Sequence, residues 1–283
     1  MIKLAGIVTL YNPDEEVKQN ILSYIDDINK LYVIDNTPTH KNESAFPIDD
    51  KIEYIFNGKN IGVSAALNLG AKKAIKEGYT HLLTMDQDSR FASDSVSNMK
   101  KFIENYKEEN LGLVTPWHMI NTNPEKPKTL VDYPLEVMTS GNIISLDAYA
   151  KIGGYKDELF IDSIDFDYCM NLTVHNYKVI RLNDVELKHD LGDIKIKHFL
   201  GRNFVCSNHN YLRRYYIVRN TLFISSIYNK DFPEYCYFLK KGLRGQLINI
   251  ILFEKDKYRK IRNMYRGYKD FRRGVLGEYN YKN

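Results

Sequence analysis

The sequence predicts an α/β fold built on a mostly parallel sheet covered by helices. Three observations carry that reading. Short apolar runs rich in β-branched residues alternate with stretches whose apolar residues recur at helical spacing, in the order strand, helix, strand, strand, helix, strand. Each apolar run ends in small polar residues, as ligand-binding strand ends do in such sheets. And 283 residues suffice for one large domain, or one domain with an appendage.

Lys3–Leu10 (KLAGIVTL) reads as a buried strand, broken by Tyr11-Asn12-Pro13. Pro13 opens a helix to about Lys30, with Val17, Ile21, Tyr24, Ile25 and Ile28 on one face. Leu31–Asp35 is a second strand, closed by the turn Asp35-Asn36-Thr37-Pro38. Lys51–Phe56 is a third, followed by Asn57-Gly58-Lys59-Asn60-Ile61-Gly62. Val63–Glu77 is a helix that Gly78 terminates. Tyr79–Asp86 is the fourth strand.

Polar residues fall at the same end of all four strands: Thr9 and Asn12, Asp35 and Asn36, Asn60 and Gly62, Asp86 and Asp88. On one rim of one sheet they would line a nucleotide crevice. Neither a Walker lysine motif nor G-x-G-x-x-G is present. Asp86-Gln87-Asp88 sets two carboxylates one residue apart, and they point the same way while the chain stays extended. Such oxygen donors suit Mg2+ or Mn2+, ions that commonly bring a phosphate with them. An Asp-rich turn closing a strand is the plainer reading.

Further on, Arg90 to about Glu109 reads as a helix, Leu111–Thr115 as a strand and Asn121–Lys128 as a loop. Glu136–Ser145 reads as a strand interrupted by Gly141, where a ligand approaches the backbone or the strand bulges. A helix starts near Asp162 or Ser163. On it Asp162 and Asp165 share a face and Asp167 points elsewhere. Carboxylates at a helix N-terminus are favourable in any case. Val179–Glu186 reads as a strand, with Lys188-His189-Asp190-Leu191-Gly192 behind it. Thr221–Ile227 and Tyr235–Phe253 read as helices with apolar faces.

Charge is uneven. Residues 1–194 hold 20 Lys+Arg against 30 Asp+Glu, a net of −10, whereas residues 195–283 hold 20 against 6, a net of +14, with half of the 22 tyrosines. A basic, Tyr-bearing stretch over 235–273 suits an anionic membrane surface. A dimerisation face, an RNA-binding tail and a merely solvated face are the rivals. Three scattered cysteines fit a reducing compartment and exclude a disulfide framework or a Cys-based zinc site. No signal peptide is read at Met1-Ile2-Lys3-Leu4, and no apolar run approaches the ~20 residues a membrane span needs.

Thr9-Leu10-Tyr11-Asn12, Asp35-Asn36, the N-I-G-x-x-x-A-x-N-x-G segment Asn60–Gly70 and Asp86-Gln87-Asp88 together resemble family 2 glycosyltransferases of the GT-A fold, and within them the bacterial rhamnosyltransferases. His209 to Asn220 resembles the H-x-x-x-R-x-Y-Y-x-x-R-N signature of that branch, so the resemblance runs from Ile2 to about Asn220. It implies a GT-A domain over 1–220 and a basic helical extension over 221–283. It also implies that Asp35 and the Asn60–Asn68 segment, with Gly62 and Asn68, hold the nucleotide. Thr9, Tyr11, Asn12, Asn36, Asp86 and Gln87 stand around the donor. Asp88 ligates the metal, Mg2+ or Mn2+, and His189 contacts the metal or the diphosphate. Ser140 and Gly141 serve donor or acceptor sugar. Arg213 or Arg214 reaches the diphosphate, and Tyr216 lines the site.

The family's usual Glu-Asp pair reads Ile164-Asp165 here, so Asp165 carries over as catalytic base, with Asp162 as the alternative. The implied reaction is metal-dependent, inverting transfer of L-rhamnose from dTDP-rhamnose to a cell-surface saccharide, lipid-linked or not. The location is cytoplasmic, peripheral at the inner membrane face if the tail docks there. A homo-dimer is allowed and no nucleic acid partner is expected. Another donor such as a UDP-sugar, or a binding protein without turnover, is the alternative.

Overall fold

The computed structural model describes residues 2–120, 125–189, 194–199 and 201–279. The chain forms two compact units. One comprises Met1–Asp157 and Asp165–Asp190, the other Glu158–Ile164 and Leu191–Asn283.

The first unit is a mixed sheet with helices. Its strands are β1 (Leu4–Leu10), β2 (Lys30–Asp35), β3 (Ile52–Phe56), β4 (His81–Asp86), β5 (Ser89–Phe91), β6 (Leu111–Met119), β7 (Val131–Asp132), β8 (Asn142–Ser145) and β9 (Lys178–His189). Their order is β3-β2-β1-β4-β8-β6-β9-β5, with β7 also on β9. The four strands expected at the start are present and pair in parallel. Beyond β4 antiparallel pairings join in, while β6 and β9, the longest pairing in the sheet, run parallel, so the sheet is mixed. The cause is β8, which arrives antiparallel between β4 and β6.

The helices are α1 (Glu16–Leu22), α2 (Val63–Lys76), α3 (Ser95–Asn105), α4 (Leu146–Ile152) and α5 (Ile164–Val174). α2 buries Ala66, Leu67, Gly70, Ala71 and Ala74, a stripe of small residues at helical spacing. A Cβ on Gly70 would run into the Ile7 side chain of β1, so this position sets how closely the helix approaches the sheet. Gly78, at φ +78°, follows the helix as expected. Leu4, Val8, Leu31, Val33, Leu83, Val114, Ile143 and Ile180 belong to one continuous core with Val17 and Ile21 of α1 and Val96 and Met99 of α3.

Several elements differ from expectation. α1 is one short helix followed by a 3-10 turn at Ile25–Asp27. Arg90 lies in β5, not in a helix, because the chain reverses after Asp86 and pairs with β9. Only Asn142–Ser145 of the expected strand at Glu136–Ser145 is β. β9 is longer than expected and ends at His189. Asn121–Pro124 of the expected loop and Asp190-Leu191-Gly192 lie outside the described residues.

The second unit holds an antiparallel hairpin, β10 (Lys195–Phe199) and β11 (Arg202–Cys206), which the sequence pattern did not signal. Three helices follow: α6 (Tyr211–Tyr228), α7 (Pro233–Phe253) and α8 (Lys257–Arg272). The expected start of an extension at 221 falls inside α6, which is uninterrupted. Part of the basic charge is buried here. The Arg214 guanidinium donates to Glu254 Oε1 at 2.7 Å, and Lys260 Nζ to Glu254 Oε2 at 2.8 Å. Glu254 is 2% exposed, and this pairing by two cations is what allows its carboxylate to be buried. All three cysteines are buried and unpaired. Among the described residues no helix is long and apolar enough to cross a membrane.

Candidate active site

The carboxyl ends of β1, β2 and β4 meet in register, Leu10 beside Asp35 and Thr9 beside Asp86. This gathers the polar residues into a rim. Asp35 is fully buried and accepts three hydrogen bonds: from Tyr54 Oη at 2.6 Å, Asn42 Nδ2 at 2.9 Å and the Thr37 amide at 2.8 Å. Burial alone would raise its pKa, but these donors hold the carboxyl below its ordinary value. Asn36 bridges two loops: its Nδ2 donates to the Gly62 carbonyl at 3.2 Å, and its Oδ1 accepts from Asn57 at 2.8 Å. Asn60 Oδ1 accepts from the Gly62 amide, a local turn that leads into α2. Gln87 and the Tyr11 backbone bond reciprocally, at 2.8 and 3.3 Å, tying the β1 end to the turn after β4. The Asn12 amide donates to Thr37 Oγ1 at 2.9 Å. Thr9 Oγ1 is buried with no protein partner.

Asp86, Asp88 and His189 converge. One ligand atom from each lies within 4.8 Å of the others, an arrangement able to hold a metal ion. The convergence is not the one expected for an extended chain, since Gln87 and Asp88 form the turn between β4 and β5. What brings His189 in is strand pairing, Ser89 of β5 opposite His189 of β9. Two carboxylates and an imidazole fit Mn2+ well and Mg2+ acceptably. Behind them runs a hydroxyl relay. The Asp86 amide donates to Ser140 Oγ at 3.0 Å, Ser140 Oγ stands 2.7 Å from Ser89 Oγ, and Ser89 Oγ stands 2.7 Å from His189 Nδ1. That last contact fixes the ring's orientation, as the outer neighbours of ligand histidines do. Ser140 is fully buried, so it orients this turn from behind. Ser89 went unnoticed in the sequence; its position directly after Asp86-Gln87-Asp88 was the available signal.

Two expected contacts become structural. Asn68 uses all four of its hydrogen-bonding positions inside the protein. Its Nδ2 donates to the Tyr155 carbonyl at 2.7 Å and Asp157 Oδ1 at 2.6 Å, and its Oδ1 accepts from Tyr149 Oη at 2.6 Å and the Tyr155 amide at 3.0 Å. It has no capacity left for a nucleotide. Gly141 adopts φ +84°, and a Cβ there would stand 2.8 Å from Leu187 and 3.0 Å from Pro116, so the glycine serves packing and backbone.

Asp165 lies in the first turn of α5, its Oδ1 accepting from the Phe166 amide at 3.0 Å. Asp167 is buried and bound through both oxygens by Lys156 Nζ, at 2.7 and 2.8 Å. Glu136 was also missed. Burial first, then the neighbouring Asp165 charge, pushes its carboxyl up to about 7. Only the fold brings these two together.

In the second unit, Asp162 precedes the helix rather than sharing a face of it. Phe160, Asp162 and Ser163 have φ of +67°, +63° and +65°, a left-handed conformation that non-glycine residues adopt at a cost. Asp162 Oδ1 accepts from Arg213 Nε at 3.0 Å. Burial raises its carboxyl and Arg213 counteracts. Arg214, expected near a diphosphate, is instead enclosed by Glu254, Gln246 and Ser207. Tyr216 is buried, its ring stacked on Phe160 at 5.3 Å and its Oη accepting from the Tyr279 amide. The Arg219-Asn220 end of the signature grips backbone. Arg219 donates to the carbonyls of Glu158, Leu159 and Gly277, and Asn220 to those of Leu159, Ile161 and Asp162.

Comparisons with known proteins agree with this geometry. The family model described as "Glycosyl transferase family 2" matches residues 7–163. The chain is 24% identical over 235 residues to dTDP-rhamnosyl transferase RfbF of Shigella flexneri, covering 77% of this chain and 78% of that one. Among solved structures it is similar to GalNAc-T7 with UDP, GalNAc and Mn2+. There the TM-score is 0.59 at 12% identity, over 84% of this chain but only 50% of that one. It is also similar to S. aureus TarS 1–349 in complex with UDP-GlcNAc, at TM-score 0.58 and 13% identity over 97% of this chain and 82% of that one. At such identities the likeness is one of fold, the GT-A fold. With more than half of its length matched by the family model and a cluster of acid and imidazole ligands at the strand ends, the chain belongs to the family 2 glycosyltransferases.

Proposed function

We propose that this glycosyltransferase is inverting and metal-dependent, and that it moves L-rhamnose from dTDP-rhamnose to a hydroxyl of a cell-surface saccharide. The observation that carries the metal part is the Asp86, Asp88 and His189 cluster. The donor part is supported by the similarity to a dTDP-rhamnosyl transferase. A UDP-sugar donor is the second reading, favoured by the UDP-GlcNAc that the structurally similar TarS binds.

An acceptor hydroxyl is a poor nucleophile near neutral pH. Asp165, in the first turn of α5, takes its proton as the hydroxyl oxygen bonds to the anomeric carbon. The bond from that carbon to the diphosphate oxygen breaks in the same displacement, and the nucleoside diphosphate leaves with the electron pair. Asp86, Asp88 and His189 would hold a divalent ion, which would supply charge to offset that of the leaving diphosphate. Ser89 and Ser140 hold that ligand set in place from behind. No side-chain nucleophile is required, so the anomeric configuration inverts. The rim of Thr9, Tyr11, Asn12, Asn36, Asn60 and Gly62 accommodates the nucleotide, with Asp35 and its three donors as the support beneath. Release of nucleoside diphosphate from dTDP-rhamnose, dependent on Mg2+ or Mn2+, tests the activity. A thermal-shift panel of dTDP, UDP and GDP tests the donor, and stabilisation by GDP alone would overturn the donor assignment.

The membrane reading of the basic region rests on α7 and α8. α7 exposes Tyr237, Phe238, Ile248, Ile251 and Leu252, and α8 exposes Tyr258, Tyr265 and Tyr268. Apolar and aromatic groups among lysines and arginines suit a helix lying on anionic lipid, where a lipid-linked acceptor would be found.

A further inference from the structure

His118 lies in β6, opposite Leu187 of β9. It is 8% exposed, and its Nε2 stands 2.7 Å from the Ser140 carbonyl oxygen. A carbonyl only accepts, so Nε2 carries the hydrogen. The His118 ring also meets the His189 ring edge-on, with centres 6.4 Å apart and planes at 83°. Ser140 is the residue whose hydroxyl accepts from the Asp86 amide and donates to Ser89 Oγ, and Ser89 Oγ stands 2.7 Å from His189 Nδ1. The neighbours of Ser140 are tied to β4. Thr84 Oγ1 donates to the Thr139 carbonyl at 2.6 Å, and the Thr84 carbonyl accepts from the Gly141 amide at 2.7 Å. His118 ties the middle of that segment to β6. It therefore reaches the ligand set by two routes, through Ser140 and by packing on the His189 ring itself.

We infer that His118 is a positioning residue for the metal site: it fixes Ser140, and through it Ser89 and the His189 ring, so that Asp86, Asp88 and His189 converge before an ion binds. The inference rests on the metal reading above and extends it to a residue outside the ligand set. Groups that bond directly to a metal ligand commonly carry ten- to a hundredfold in affinity, and His118 acts one residue further out, so its share should be about threefold to tenfold. His118 also lines a cavity with Glu125, Glu136, Met138 and Arg181. A role toward a molecule bound there would leave Mn2+ binding by the protein alone unchanged, so Mn2+ affinity separates the two roles.

The test is titration of the full chain with Mn2+, without donor or acceptor, read by electron paramagnetic resonance. His118→Phe keeps a ring against His189 but removes the donor, and should weaken Mn2+ about threefold to tenfold. His118→Gln, which returns an N–H to the Ser140 carbonyl, should stay within about twofold of the wild type. Because His118 and Ser89 act on one ring, His118→Phe combined with Ser89→Ala should weaken Mn2+ by less than the product of the two single effects. Circular dichroism and melting curves establish that each variant is folded at the titration temperature. If His118→Phe does not fold, the wild type carries the test. In its nitrogen-15 histidine NMR spectrum Mg2+ should shift the His118 ring signals together with those of His189, the His118 signals being assigned by their loss in His118→Gln. Unchanged Mn2+ affinity in folded His118→Phe, equal weakening by His118→Gln, a double variant equal to the full product, or His118 signals that stay still while those of His189 move would each overturn the inference. A wild type that binds no Mn2+ would remove the metal reading and this inference with it. Mn2+ binding that is equal in the wild type and His118→Phe would leave the metal reading standing and remove only the role of His118.

Discussion

Asn220 Nδ2 lies 2.7 Å from the Ile161 carbonyl oxygen, and the same amide reaches the carbonyls of Leu159 at 2.8 Å and Asp162 at 3.0 Å. One side chain thus supports a segment in which Phe160, Asp162 and Ser163 are all left-handed. Asn220→Ala removes these bonds and takes the Asn220 donor from the Ile161 and Asp162 carbonyls, while Leu159 keeps Arg219, so we expect a loss of about 3 kcal/mol. Asn220→Asp should cost more, because a carboxylate cannot donate and would repel the same oxygens. Urea melts of the purified variants check both.

Asp88→Ala should abolish nucleoside diphosphate release, and His189→Ala should weaken Mn2+ binding tenfold or more, since each deletes one of three convergent ligands. Titration of Mn2+ by electron paramagnetic resonance reads the second effect without turnover. Ser89→Ala should weaken Mn2+ by a smaller factor, as it frees the His189 ring to rotate.

Asp165→Asn should lower kcat by about 10²–10⁴-fold with donor KM little changed. Asp162→Asn should cost less than tenfold in kcat, because Asp162 is engaged by Arg213. Steady-state kinetics on both variants decide between the two carboxylates, and the opposite ranking would make Asp162 the base.

Glu136 gives a pH signature in stability. Its folded pKa, pushed up to about 7 from 4.5, means that the folded state holds the proton more tightly than the unfolded chain. Its share of stability is therefore full below about pH 4.5 and is lost as pH rises toward 7, by roughly 3 kcal/mol across that window. Glu136→Gln should flatten this part of the profile. Thermal melts of both proteins between pH 4.5 and 7.5, read as a difference, isolate it from the histidines.

Vesicles containing anionic lipid should float with the protein at low salt and release it at high salt, whereas neutral vesicles should not bind. Tyr237→Ser with Phe238→Ser, both exposed on α7, should reduce flotation. Equal binding to both vesicle types, or to neither, would count against the membrane reading.

Local pattern made the first half of the fold legible. β1 to β4 and α2 follow from apolar runs, a terminating glycine and polar strand ends, and β4 closes at Asp86 as expected. What the sequence hid depends on distant pairing. β5 is three residues long and exists because β9 lies beside it, so Arg90 could only look helical from its neighbours. Asn68 and Gly141 look like ligand contacts from their motifs, yet they are saturated by Tyr149, Tyr155 and Asp157 or closed off by Leu187 and Pro116. Arg213 and Arg214 carried the chemistry expected of phosphate binders, but their partners, Asp162 and Glu254, come from far along the chain.

The pairing of Ser89 with His189 joins positions one hundred apart. A nascent chain that ends anywhere between them carries the aspartates without the imidazole, so the full ligand triplet awaits the last strand of the sheet. An ion bound there would favour the folded over the unfolded first unit by mass action. Adding a chelator should then lower the melting temperature of that unit, making metal occupancy a quality mark for freshly folded enzyme.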